Sequence, residues 1–177
     1  ELGVRTVFNL LGPLLNPAGA RRQVMGVFSL AVTETLAEAL RQLHCEQALV
    51  FSGEDGLDEM SVEGRTRITE LRDGTLKTEW VVPEDFGLTR RNRTEFQGGD
   101  AAQNARILRD VLENRGSEAQ RDIVLLNAAA GIYVAGAAQS VAEGLALART
   151  SLFSGWALNK LELLVKLSNH SLAETAL

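Results

Sequence analysis

A single cysteine, Cys45, and two histidines stand among the 177 residues of this chain. One cysteine excludes an internal disulfide and fits a reducing, cytoplasmic setting. No cysteine and histidine grouping has zinc-site spacing, and neither a G-x-S-x-G elbow nor a Walker motif occurs, so nucleophilic and P-loop chemistry find no support. Proline is scarce as well, with three residues against 16 glycines, and no low-complexity linker or repeat breaks the chain. Positive charge is not in excess. Eighteen basic against 23 acidic residues give a net charge of −5, which argues against nucleic acid and anionic membranes as partners. The apolar stretches at 123–126 and 127–138 are far shorter than the ~20 residues of a membrane span.

What the chain does have is the composition of one soluble globular domain, 45% hydrophobic and 23% charged. At this length a chain buries about 70% of its unfolded surface, enough for a core without staples. The opening residues, Glu1-Leu2-Gly3-Val4-Arg5, show neither an initiator Met nor a basic-then-apolar signal pattern, so we expect an internal or C-terminal piece of something longer.

Residues 5–11 suit a short helix, and Gly12-Pro13 with Asn16-Pro17 predict an ordered loop over 12–19. Gln23-Val24-Met25-Gly26-Val27-Phe28 reads as a buried strand. Ser29 then caps a helix to about Leu43, with Leu36, Ala37, Leu40 and Leu43 on its apolar face. Ala48-Leu49-Val50-Phe51 is the next strand, so the segment is a βαβ unit with parallel strands. Ligands of such sheets gather beyond the carboxyl ends of the strands, which directs attention to the loop after Phe51. Runs 66–71 and 75–82 alternate about Asp73-Gly74, a strong hairpin signal. A loop over 83–93 follows, and helical patterns cover 101–114, 121–136, 141–149 and 155–167, with a frayed tail over 168–177. The expected fold class is a three-layer α/β domain, a mainly parallel sheet flanked by helices with one antiparallel hairpin.

Ser52-Gly53-Glu54-Asp55-Gly56-Leu57-Asp58-Glu59 places four carboxylates within six residues directly after a strand. Mg²⁺ takes oxygen ligands in octahedral geometry and commonly uses one or two carboxylates plus substrate phosphates, which Asp58-Glu59 can supply. EF-hand spacing is absent. A solvated acidic turn fits the same residues, and on local pattern both readings stand. Other polar groups carry less. Asp100 after Gly98-Gly99 is placed to cap a helix rather than to cradle phosphate, and Arg90, Arg91 and Arg93 read as solvated side chains. His44 and Cys45 are adjacent and so do not face each other, Asn127 and Tyr133 read as satisfied polar groups of a helix-packed core, and Trp80 and Trp156 read as core residues.

Residues 2–17, LGVRTVFNLLGPLLNP, resemble the long signature of the anthranilate phosphoribosyltransferase family. Asp55-Gly56-Leu57-Asp58-Glu59, Pro83-Glu84-Asp85-Phe86-Gly87-Leu88 and Leu125-Leu126-Asn127-Ala128-Ala129 resemble it in the same order, over residues 1–167. The resemblance implies the nucleoside phosphorylase and phosphoribosyltransferase-like α/β domain, with residues 1–177 as its C-terminal part and the N-terminal helical domain upstream. It implies transfer of phosphoribosyl from phosphoribosyl pyrophosphate to the amino group of anthranilate, releasing pyrophosphate, in tryptophan biosynthesis. It assigns Mg²⁺ to Asp58 and Glu59. The glycine-rich diphosphate loop and the residues that hold both substrates, including an arginine that contacts anthranilate, are expected upstream of Glu1, so Arg5 is not given that role. On this basis the isolated chain is expected to be inactive. A homodimer through the helical region is implied, as is fusion or association with anthranilate synthase in some members. The alternatives are a pyrimidine nucleoside phosphorylase-like enzyme and a non-catalytic α/β domain.

Overall fold

Residues 11–15 and 17–174 are described in the computed structural model. The helix expected at 5–11 and most of the signature over residues 2–17 lie outside them. Residues Gly12–Leu15 form a short 3-10 turn within the expected loop, and Leu14 packs on the core.

Strand β1 (Arg22–Gly26) lies parallel to β2 (Gln47–Gly53), in register from Arg22 opposite Gln47 to Gly26 opposite Phe51. The crossover between them is helix α1 (Thr33–Gln42), preceded by a 3-10 turn, Leu30–Val32, in which Ala31 N donates to Ser29 Oγ at 3.4 Å. Strand β2 is buried along its whole length, and its alternation divides the core. Ala48 and Val50 face Leu36, Ala37 and Leu40 of α1, while Leu49 and Phe51 face the helices of the second half. Each such large apolar side chain contributes about 1.5–3 kcal/mol by leaving water. Leu43 departs from expectation, being 57% exposed. The helix has already closed, since His44 takes the left-handed conformation at φ 61° and Cys45 N reaches back to Leu40 O at 3.0 Å.

Strands β3 (Thr66–Arg72) and β4 (Thr75–Val81) form the expected hairpin, with both turn residues in the left-handed region, Asp73 at φ 50° and Gly74 at φ 75°. The sheet order is β1-β2-β3-β4, and both β2–β3 and β3–β4 are antiparallel. Parallel pairing is therefore confined to β1–β2 among the described strands, so the sheet is mixed rather than mainly parallel. The physical reason is connectivity: α1 is the one crossover helix between described strands, and every later strand is joined by a loop or hairpin.

The second half is helical: α2 (Ala101–Leu112), α3 (Glu118–Val134), α4 (Val141–Phe153) and α5 (Trp156–Glu174). Asp100, Ser117 and Ser140 cap the first three by accepting from the backbone amides of Gln103, Gln120 and Glu143. Helices α3 and α4 cover the face of the sheet opposite α1, completing three layers. They cross closely at Gly144, where a Cβ would sit 2.5 Å from the Ala129 carbonyl oxygen. Helix α5 continues to Glu174 in the segment expected to fray, and residues 175–177 lie outside the described ones. Trp80 and Trp156 are 44% and 62% exposed, not core. Trp80 lies on the edge strand under the Arg65 guanidinium, 4.8 Å from its ring centre, and Trp156 opens a helix that covers little of the core. No described helix is long and apolar enough to cross a membrane.

Candidate functional site

Because β1 and β2 are parallel, Gly26 and Gly53 bring two carboxyl ends to one side of the sheet, and the acidic loop begins there. The loop folds tightly on itself. Gly53 N donates to Leu57 O at 2.8 Å, Gly56 N donates to Gly53 O at 3.0 Å, and Gly56 adopts φ 83°. Glu54 N donates to Arg65 O at 2.8 Å, closing the loop's base. Met60 and Val62 fix the far side by burying fully in the core between sheet and helices.

The four carboxylates divide into two pairs. Glu54 is held by the Arg65 guanidinium in a two-pronged contact of 2.7 and 2.9 Å, which lowers its pKa below the ordinary range. Asp55 accepts from Leu57 N at 3.1 Å and from Ser61 Oγ at 2.5 Å, and Ser61 Oγ in turn accepts from the amides of Glu63 and Gly64. Both therefore serve the loop's own geometry. Asp58 and Glu59 are exposed, and their carboxylates make no hydrogen bond or ion pair with any described residue. The Glu59 carboxyl has its pKa pushed up, first by the protein surrounding it and then by the neighbouring Asp58 charge. Glu59 also borders a depression of about 330 Å³ shared with Ile123, Val124 and Asn127.

Two adjacent anionic groups without partners among the described residues suit a hard cation, which would relieve their repulsion. Among the described residues no cluster of three or more metal-ligating side chains exists, so waters and ligand oxygens would have to fill the remaining octahedral positions.

The loop's support comes from two positions whose part in it the local sequence pattern does not assign, and Asn127 has its polar groups satisfied as expected. Gly26 lies under Asp58, where a Cβ would fall 1.6 Å from the Asp58 carbonyl oxygen. Asn127, on α3, accepts from Met60 N at 2.8 Å and donates to Met60 O at 3.0 Å. A glycine interrupting an apolar strand run is a recognised sign of close backbone approach, and it was the available signal at Gly26.

The model of the glycosyl transferase family, a/b domain, matches residues 1–158. The chain belongs to this family. An anthranilate phosphoribosyltransferase of Rubrobacter xylanophilus is 54% identical over 168 residues, covering 95% of this chain and 49% of that protein. Its Nitrosomonas eutropha counterpart is 50% identical over 169 residues, covering 96% and 49%. The crystal structure of the Thermus thermophilus enzyme of that name superposes with a TM-score of 0.83 at 44% identity, over 92% of this chain and 47% of that one. The Saccharomyces cerevisiae enzyme, in complex with PRPP and Mg, superposes with a TM-score of 0.79 at 32% identity, over 90% and 46%. The chain thus spans about half the length of the curated relatives it matches.

Within this glycosyl transferase domain the remaining polar groups serve structure. Asp100 caps α2 as expected, with Asn104 clasping Gly99 through both its N–H and C=O. The arginines are not simply solvated: Arg90 pairs with Glu84, Arg91 bridges Glu118 and Asp122, and Arg93 donates to Asp55 O at 3.2 Å. Arg91 ties the 83–95 segment to α3 and Arg93 ties it to the acidic loop, while Arg90 closes on Glu84 within the segment and donates to Glu63 O at 3.1 Å. Cys45 is buried, with Sγ against Arg21 O at 3.1 Å, and His44 is exposed on a left-handed turn, so the two form no pair. Tyr133 is buried, donating its hydroxyl to Glu70 and accepting from Arg72 at 3.0 Å.

Proposed function

We propose that this chain is the C-terminal α/β part of an anthranilate phosphoribosyltransferase and that Asp58 and Glu59 hold Mg²⁺ for its phosphoribosyl pyrophosphate substrate. The observation that carries this reading is the pair of carboxylates at the carboxyl ends of the two parallel strands, without partners among the described residues, beside two acidic neighbours that are engaged. Support comes from the relatives' names and from the yeast structure with PRPP and Mg.

The reaction transfers phosphoribosyl to the amino group of anthranilate and releases pyrophosphate. When bound, the ion supplies neutralisation of negative charge on the departing diphosphate. The chain's own residues do the holding. Asp58 and Glu59 offer oxygen ligands, Arg65 and Ser61 keep Glu54 and Asp55 out of competition, and Arg93 braces the loop backbone. On this reading the 177-residue chain, which spans about half the length of its curated relatives, has no turnover by itself, since catalysis needs both substrates held in attack geometry.

The test follows anthranilate fluorescence in the full-length protein with phosphoribosyl pyrophosphate and Mg²⁺, alongside a pyrimidine nucleoside with phosphate. Consumption of anthranilate that stops on chelation is expected. Turnover of the nucleoside instead would place the chain among the phosphorylases.

A further inference from the structure

We propose that Asn127 is a positioning residue for the cation site, orienting the Asp58-Glu59 carboxylates by fixing the peptide backbone of Met60. The proposal rests on the reading of Asp58 and Glu59 as cation ligands.

Asn127 sits on α3, 67 positions from Met60 in sequence. Its Oδ1 accepts from Met60 N at 2.8 Å, while its Nδ2 donates to Met60 O at 3.0 Å and to Ile123 O at 3.0 Å. A single hydrogen bond would leave the loop free to pivot. Two bonds to the N–H and C=O of one residue fix the orientation of its backbone, and the third bond locks the amide to its own helix. Met60 is also fully buried, so this residue is held at backbone and side chain together.

Glu59 is the next residue along, and its side chain shares a depression with Asn127. On the other side of the pair, Gly26 seats the Asp58 backbone on β1. The two carboxylates therefore project from a segment clamped at both ends, by β1 beneath Asp58 and by α3 behind Met60. Such clamping matters more to a cation than to a fold. Mg²⁺ requires ligand distances near 2.0–2.1 Å in octahedral array, and a site loosened by about 0.5 Å loses much of its affinity. A purely structural asparagine would owe the loop stability alone.

The experiment measures Mn²⁺ binding to the full-length protein by electron paramagnetic resonance, with phosphoribosyl pyrophosphate present and anthranilate omitted so that no turnover occurs. Asn127→Ala should weaken Mn²⁺ binding about 10–100-fold, the usual cost of losing an outer-shell partner. Asp58→Asn serves as the reference, and the double variant should lose no more than Asp58→Asn alone, within about twofold, because both changes act on one site. Should Asn127→Ala fail to fold, Asn127→Ser, which keeps a polar group near the Met60 backbone, is read the same way. Unchanged Mn²⁺ affinity in a folded Asn127 variant, or fully additive losses, would overturn the proposal. If Asp58→Asn itself leaves Mn²⁺ binding intact, it is the reading of the site that fails.

Discussion

The backbone of Asp58 packs directly onto Gly26: a Cβ on the glycine would lie 1.6 Å from the carbonyl oxygen of the aspartate. The contact is with backbone rather than with the tip of a flexible side chain, so it cannot be relieved by a rotamer change. Gly26→Ala should therefore push the acidic loop off β1, destabilising the protein by about 1–3 kcal/mol or more. Urea denaturation reads the stability, and a midpoint equal to wild type would show that the loop yields freely.

A second prediction concerns the opposite end of the sheet. The buried Tyr133 hydroxyl joins Glu70 and Arg72 of β3 to α3. Burial first, and then the hydrogen bond to Glu70, push its pKa up, so the phenol stays protonated and keeps donating at neutral pH. Tyr133→Phe leaves both partners short of one bond and should cost about 1–3 kcal/mol without affecting cation binding. Thermal melting and Mn²⁺ titration together check it, and a variant as stable as wild type would contradict it.

The surface of α1 offers a pH test. Arg41 and Gln42 bond to the Glu38 carboxylate and lower its pKa from 4.5 to about 2. A depressed folded value means that the pair's contribution is present above about pH 4.5 and disappears as pH falls toward 2. The group is fully exposed, so the effect is small and weakens further in salt. Wild type and Glu38→Gln should differ slightly in melting temperature at neutral pH and converge in acid. A gap that widens in acid would reverse the sign.

Local chemistry made much of the fold legible. The Asp73-Gly74 turn and the flanking alternation specify a hairpin within 16 residues, and Asp100 announces its helix through one side-chain bond. What escaped depends on distant partners. The exposure of Trp80 follows from β4 being an edge strand, and that of Leu43 from a left-handed turn at His44 that ends α1. The acidic loop shows four carboxylates alike in sequence, and Arg65, Ser61 and the Leu57 amide distinguish the engaged pair from the one without partners among the described residues. The bond between Asn127 and Met60 spans 67 positions and leaves no periodic trace. Asp58 and Glu59 could be singled out by chemistry and resemblance, whereas Gly26 showed only a glycine within an apolar run and Asn127 only a polar group in need of partners, neither naming the loop it braces.

The central claim, that Asp58 and Glu59 hold the cation, is tested most directly by replacing both with Ala in the full-length protein and measuring Mg²⁺-dependent anthranilate consumption. Loss of several kcal/mol of charge stabilisation corresponds to a fall in kcat/KM of about a hundredfold or more. The melting temperature should hold or rise, since neither carboxylate has a partner among the described residues. Unchanged Mg²⁺-dependent kinetics in the double variant would contradict the account.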